Sequence, residues 1–537
     1  MTVAMDLARS ARGADARSKS IGREHLRGEP MSSAGSERIF LEEARLGPRN
    51  PVLVEFAEKA EFPKLQRLFE AYTFVDLAHA VMLVETGILP KANGARLIEG
   101  LLRIHTMDAK SFPWLPDAGS YLVHIEHWLT EHSGGDIAGL LQTGRSRNDQ
   151  DAAAERLFQR GLILDLSEAL TRLWSLTLDL ASAHAETLMP GYTHLQHAQP
   201  WTFGHYLMRQ ASIIERDLAR LCDLYPRTDL SALGGAANAG TSWPIDRRRT
   251  AALLGHEGIV INSCDAGEFA RDHIEETTAC ISILAANLGR FATDLYVWSS
   301  FEFGFVEVAD GLAGTSSIMP QKKNPHSLER VKSIGGQAIG WLATVMGCQR
   351  PVLSTDLDFT FGDDLFGRFA AATYGSIRLM EETLSTLTIH RDRMERDASA
   401  FWSTTSHLAD ELVRRCGLSF RAAHQIVGLC VRKAIEARQT PATLEARLLC
   451  AAAAELSGPA IELDDQSLRA LLDGRNFINT RVSEGSVAPA EVRRHAADMK
   501  ERLGRYRAKL AERRTLVTSA LSTLLARAEE LAAPANS

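Results

Sequence analysis

Two adjacent hydroxyls, Ser316 and Ser317, two lysines, Lys322 and Lys323, and the amide of Asn324 fall within the dozen residues 314–325, bounded by Gly314 and Pro325. Pro320 interrupts any helix through this stretch. Pro325 suits the first turn of a new helix, and Asn324 is a natural N-cap for it. The pattern predicts a polar, mobile loop feeding a helix that starts at about Asn324. Open amides at such a start, with Lys322 and Lys323 beside them, attract an anion. A serine in the same loop can be deprotonated if the cations stabilise its alkoxide. Taken singly, a Ser-Ser or Lys-Lys pair is ordinarily a solvated basic turn.

Two further polar stretches carry chemistry. Gln142-Thr143-Gly144-Arg145-Ser146-Arg147-Asn148-Asp149-Gln150 is dense in donors and precedes a long helical run. It reads equally as a clamp for a carboxylate or phosphate and as a charged helix cap, with Asp149 and Asp151 suited to the helix dipole. Gly191-Tyr192-Thr193-His194-Leu195-Gln196-His197-Ala198-Gln199-Pro200 breaks two long helices. Its His194 is a candidate general acid or base, because an imidazole titrates near neutrality; a loop histidine is also often structural. His124 and His127 have helical i, i+3 spacing, but no third ligand accompanies them, so ordinary neighbours are the expectation rather than a metal pair. His79, among apolar neighbours, is expected to be packed or to cap.

These stretches need a rigid frame. Residues 151–189 read as one long helix with Leu157, Leu162, Leu164, Leu166, Leu170 and Leu173 on its apolar faces. Residues 201–225, 271–301, 324–346 and 363–387 read as further long helices, 271–301 bearing Ile281, Leu284, Leu288, Phe291 and Leu295. About five such helices in one segment predict an all-α bundle packed at shallow angles. The chain divides into a disordered leader (1–37), an N-terminal helical domain (38–144), a central long-helix bundle domain (145–391) and a C-terminal helical domain (392–537). No strand-rich block or internal repeat is expected.

Composition narrows the function. The 537 residues are 45% hydrophobic and 24% charged, with a formal net charge of −7. Those values describe a globular chain and disfavour a nucleic-acid partner, since no basic stripe with interleaved aromatics occurs. Seven scattered cysteines without a C-x-x-C pair predict a reduced cytoplasmic protein with no disulfide frame and no zinc site. No apolar run is long enough for a membrane span. The leader is rich in Arg, Ser, Gly and Ala but contains Asp6, Asp15, Glu24 and Glu29, so a disordered tail is favoured over a transit peptide. Nucleotide-binding and serine-hydrolase motifs, G-x-x-x-x-G-K-[ST] and G-x-S-x-G, are absent from the sequence.

Taken together and in order, Thr-Gly-Arg-Ser-Arg-Asn-Asp-Gln, Gly-Tyr-Thr-His-Leu-Gln-x-Ala-Gln-Pro and Ser-Ser-x-Met-Pro-Gln-Lys-Lys-Asn-Pro resemble the argininosuccinate lyase branch of the fumarase/aspartase superfamily. The likeness spans about 38–494 and is densest over 143–329. It implies a three-domain, fumarase/aspartase-like fold and a homotetramer whose active sites each draw motifs from three subunits. It implies no metal and no organic cofactor. The implied reaction is reversible cleavage of a C–N bond in an N-substituted succinate, giving fumarate and an amine or guanidine. By motif position, Ser316 removes the Cβ proton, while Lys322 and Asn324 hold the carboxylate that becomes an aci-carboxylate dianion. His194 acts with the leaving nitrogen, and Glu329 pairs with His194. Ser146, Arg147, Asn148, Thr193 and Gln196 bind the substrate's succinyl half.

The sequence departs from the family pattern at several positions, most of all around the amine half. Thr315 stands where the family has a Gly before the serines, His326 where it has Asp, and Gln142 where it has His. The family's Tyr-Asn-Lys-Asp-Leu-Gln-Glu-Asp-Lys is here Leu353-Ser354-Thr355-Asp356-Leu357-Asp358-Phe359-Thr360-Phe361, with only Asp356 and Leu357 matching. A Glu-Asp-x-His helix is replaced near Ser120-Tyr121-Leu122-Val123, and a Gly-Ser pair by Val75-Asp76. Lost polar partners weaken recognition of arginine's amino-acid end. The expectation is therefore a lyase of this branch whose amine differs from arginine, as in relatives that cleave ethylenediamine-disuccinate. The alternatives are a true argininosuccinate lyase of arginine biosynthesis and a catalytically inactive structural paralogue.

Overall fold

The computed structural model describes residues 49–269, 271–350 and 358–533, the side chains of 268, 269 and 358–363 excepted. The leader 1–37 lies outside these residues, as do 353–357 and the side chains of 358–361 in the diverged stretch. The described chain is all-α: its strands are two residues long and occur in pairs. None of its helices is long and apolar enough to cross a membrane, and no disulfide joins its cysteines.

Three helices, α1 (Phe62–Glu85), α2 (Lys91–His105) and α3 (Tyr121–Ser133), lead into the central α4 (Arg147–Ala183). Helix α4 has 37 residues, hence a length of roughly 55 Å. It starts before the expected 151 because Ser146 caps it: Ser146 Oγ accepts from the Asn148 amide at 3.3 Å, and Asp149 Oδ1 accepts from the Ser146 amide at 2.9 Å. It ends before 189 because Leu188–Met189 pairs antiparallel with Trp201–Thr202. The six expected leucines are all buried, together with Ala153, Ala154, Phe158, Ile163 and Trp174. A helix buried on so many sides belongs in the middle of the bundle.

Its neighbours are α5 (Phe203–Thr228), α6 (Asp272–Trp298), α7 (His326–Gln337), α8 (Trp341–Cys348) and α9 (Asp358–Ser385). Helix α5 runs antiparallel to α4: the Gly204 amide meets the His184 carbonyl at 2.9 Å, and Arg156 reaches the Arg227 carbonyl at 3.1 Å. Helix α6 is antiparallel to α5 in turn, through Tyr206–Asp294 at 3.0 Å, Asn287–Asp217 at 3.0 Å and Arg227–Glu276 at 2.9 Å. The expected helix over 324–346 is split by a 3-10 turn (Ala338–Gly340), in a run containing Gly335, Gly336 and Gly340.

A 44-residue helix, α10 (Pro489–Ala532), returns along α4. Arg514 bonds Asp165 at 2.6 Å and Glu168 at 2.9 Å, and the Arg513 guanidinium sits 4.1 Å from the Tyr225 ring centroid. One large core joins α1 through α9 to α10, while Leu408, Leu412, Ile426, Leu449 and Leu468 form a separate small core in the segment between.

Helices α6 and α7 touch backbone to backbone. A Cβ on Gly289 would lie 2.9 Å from Gly335 Cα, and a Cβ on Gly335 would lie 2.8 Å from Gly289 Cα and 2.9 Å from the Ala285 carbonyl oxygen. Gly335→Ala is therefore expected to destabilise the chain by about 1–3 kcal/mol despite alanine's better helix propensity. A lower denaturation midpoint with an unchanged slope would show it.

Candidate active site

The polar turn before α4 is held from two sides by buried carboxylates. Gly144, at φ +73°, turns the chain, and His79 Nε2 lies 3.0 Å from the Thr143 carbonyl oxygen. Arg145 is fully buried and donates from Nη1 to Asp76 Oδ1 at 2.6 Å and from Nε to Gln142 Oε1 at 3.0 Å. Gln150 donates to the same Asp76 oxygen at 2.7 Å. On the other side, Asp149 Oδ2 accepts from the Gly234 and Ala236 amides at 2.8 and 3.1 Å. Burial pushes the Asp149 carboxyl up to about 6 against the pull of these amides. Burial also raises Asp76 above the usual carboxylate range, opposed by Arg145. The outcome is a fixed turn with Ser146 and Asn148 half-buried and Arg147 exposed, at the amide-rich start of a long helix. That arrangement attracts an anion.

Thr193, His194, Leu195 and Gln196 lie beyond the opposite end of α4. Tyr192–Thr193 pairs with Gln196–His197 in a two-residue hairpin, and its tip has φ +55° at His194 and +57° at Leu195. Positive φ at both positions is the type I′ turn, normally built from Asn and Gly. Left-handed conformations cost non-glycine residues roughly 1–2 kcal/mol each, and such strain persists at sites where geometry matters more than local preference. Tyr192 anchors the hairpin against Phe303 and Phe305, and burial pushes its hydroxyl up to about 12. All four tip side chains are exposed.

The stretch 314–325 reaches the same end of the bundle. Gly314–Thr315 pairs with Lys323–Asn324, so it is a closed hairpin and not an open loop. Asn324 is not the helix cap expected of it. It pairs with Gly314, and Pro325 holds the N-cap position of α7 without a side-chain bond. At Gly314 the His326 ring occupies the place a Cβ would take, so a side chain there would displace the ring. Ser316 Oγ accepts from the amides of Met319 at 3.0 Å and Ile318 at 3.3 Å. Two donors aimed at one hydroxyl oxygen favour its deprotonated form. Lys323 is committed to Asp310 at 2.6 Å and Glu307 at 2.8 Å, and Asp310 foremost holds its ammonium above the usual lysine range. Lys322 is exposed and makes no ion pair among the described residues.

The expected residues thus fall into two groups. Ser146, Arg147 and Asn148 lie at the start of α4; His194, Thr193, Gln196, Ser316, Lys322, Asn324 and Glu329 lie at the other end, roughly 55 Å away. Within one chain Glu329 faces His326 at 3.9 Å, and no hydrogen bond or ion pair among the described residues joins it to His194. His124 accepts from the Leu115 amide and packs on Trp114, while His127 pairs with Glu131. Two anchors were not foreseen from the residues: Asp76 as the partner of Arg145, and Asp149 as the clamp on 234–236. The only signal for the first is a lone carboxylate inside the apolar run 74–83.

A family profile described as lyase matches residues 80–340, and one described as argininosuccinate lyase C-terminal matches 402–479. The argininosuccinate lyase of Methanocaldococcus jannaschii is 36% identical over 466 residues, covering 86% of this chain and 94% of the relative. That of Methanothermobacter thermautotrophicus is 37% identical over 452 residues, covering 83% and 95%. Among solved structures, EDDS lyase in complex with formate superposes with a TM-score of 0.78 at 32% identity, covering 88% of this chain and 92% of that one.

Asp149→Asn removes an acceptor from the clamp on 234–236. It is expected to lower stability by about 1–3 kcal/mol, the cost of leaving a buried donor unpaired. Chemical denaturation measures the loss, and faster amide exchange at Gly234 and Ala236 would locate it.

Proposed function

The chain belongs to the argininosuccinate lyase family, carbon–nitrogen lyases that release fumarate reversibly, and from that premise we propose that it cleaves an N-substituted aspartate at the residues gathered above. Ser316 is the base. The observation that carries this is its oxygen held by two backbone amides, which offset the charge of an alkoxide as it takes the Cβ proton. Lys322 and Asn324 hold the carboxylate whose α-carbon becomes carbanionic. The dianion formed there is the most highly charged species on the path, so fixed donors act most strongly on it. The Cα–N bond then breaks. His194 hands a proton to the departing nitrogen, directly or through water, and Glu329 orients it. Ser146, Arg147 and Asn148 take the other carboxylate at the start of α4, and Thr193 and Gln196 complete the contacts.

These groups cannot meet within one chain, given the length of α4. A homotetramer, in which the bundle end of one subunit lies beside the helix start of another, brings them together. Exposed apolar side chains at both the hairpins and the bundle surface support such burial: Leu195 is 72% exposed, Ile318 83% and Ile339 82%.

The amine differs from arginine in this reading, because the stretch 353–361 lacks most of the family's polar residues. A second reading, cleavage of argininosuccinate itself, is favoured by the names of the relatives that match most of the chain. Purified protein supplied with fumarate and a panel of amines separates the two. Selective consumption of fumarate with a diamine or amino acid other than arginine is expected; robust formation of argininosuccinate alone would give the second reading. Ser316→Ala should lower the rate on the order of 10²–10⁴-fold with any accepted amine. Wild-type inertness with every amine would mark an inactive paralogue.

A further inference from the structure

The Asp76–Arg145 pair is an expensive way to hold two helices together. Both side chains are fully buried, and a buried ion pair often contributes no more stability than an apolar pair of the same volume. This one is also incompletely satisfied. Among the described residues Arg145 Nη2 has no hydrogen-bond partner, and neither do His79 Nδ1 or Gln150 Oε1 around it. The Tyr121 hydroxyl faces the Asp76 carboxyl from α3. A network kept for stability alone would be completed or replaced.

What the pair does fix is position. Arg145 immediately precedes Ser146, whose oxygen caps α4. Its guanidinium is tied to α1 through Asp76 and to the preceding turn through Gln142. Gln150, one turn into α4, grips the same Asp76 oxygen. One carboxylate on α1 therefore holds the residue before the anion-binding turn and a residue just after it. Resting on the lyase reading above, we infer that Asp76 is a positioning residue for this reaction: through Arg145 and Gln150 it sets where Ser146, Arg147 and Asn148 present their donors to the substrate carboxylate. It touches no substrate itself, and its loss should be read first in how tightly that carboxylate is bound.

A second buried pair of the same chemistry provides the control. Arg160 Nη1 meets Asp229 Oδ1 at 2.9 Å, and the same arginine also bonds the Gly255 and Leu254 carbonyls. It joins α4, nearly four turns beyond Ser146, to the end of α5 and the segment 254–255. Fumarate is titrated calorimetrically into the full-length protein and variants, with the thermal midpoint of each measured in parallel. Asp76→Asn should raise the fumarate Kd at least about tenfold, because misplaced donors lose much of their binding. Asp229→Asn should lower the midpoint yet leave the Kd within about twofold. The double variant Asp76→Leu/Arg145→Met removes both charges. It should regain much of the midpoint lost in Asp76→Asn while its Kd stays raised at least about tenfold.

Gln150→Leu, which removes one of the two donors to Asp76, should raise the Kd about threefold or more and serves if Asp76→Asn does not fold. Recovery of both midpoint and wild-type Kd in the double variant would show that the pair only stabilises, and would overturn the inference. An unmoved Kd in Asp76→Asn or, in its place, Gln150→Leu does the same. Absence of fumarate binding in the wild type overturns the lyase reading and this inference with it, whereas wild-type binding with unmoved variants overturns this inference alone.

Discussion

A helix enclosed by other helices can present chemistry only at its two ends. Helix α4 is in that position: most of its leucines and alanines, and Trp174, are buried against α1, α5, α9 and α10. Burial of that much apolar surface is the dominant stabilising term, and it leaves no room for a cleft along the shaft. Polar function is pushed to the turn before residue 147 and to the hairpins beyond residue 183. Each end then needs its own fastening, since neither is inside the core.

The two ends are fastened by different physics. At the helix start, charged groups are taken out of water and matched to named partners, Asp149 to three backbone amides and Asp76 to Arg145 and Gln150. Such contacts are directional, and they hold backbone to within a hydrogen bond's tolerance. At the far end, pairs of two-residue strands and aromatic contacts do the work, as where Tyr192 packs on Phe303 and Phe305. There the important donors and acceptors are left uncommitted: His194 is exposed, Lys322 has no ion pair among the described residues, and Lys323 is neutralised beside it. In the proposed reaction the first end receives a charge and the second moves protons.

Much of this was legible in the residues. Apolar spacing over 157–173 and 281–295 located two long helices, because helical periodicity is a local property. The three polar breaks were legible by residue type only as candidates, each with a structural reading at least as good, and as a lyase once set beside the family. The hairpins were not, since two-residue strands leave no alternation to read and His194-Leu195 carries none of the Asn-Gly signal of a type I′ turn. Asn324 misled for a related reason: a good capping residue beside a proline is also acceptable in a strand, and the choice is settled by Gly314, ten residues away. The Asp76–Arg145 pair spans 69 positions, and no local rule predicts which arginine a buried carboxylate will meet.

The unbroken length of α4 has a consequence for how this chain can vary. An α-helix turns about 100° per residue and advances about 1.5 Å. One residue inserted or removed anywhere within Arg147–Ala183 would swing the turn at one end out of phase with the hairpins at the other while barely changing their separation. Four residues would nearly restore the phase but add about 6 Å. The helix is therefore a ruler and a protractor at once. Related chains are free to differ in side chains along it and in loops beyond it, but insertions and deletions should be excluded from the shaft itself.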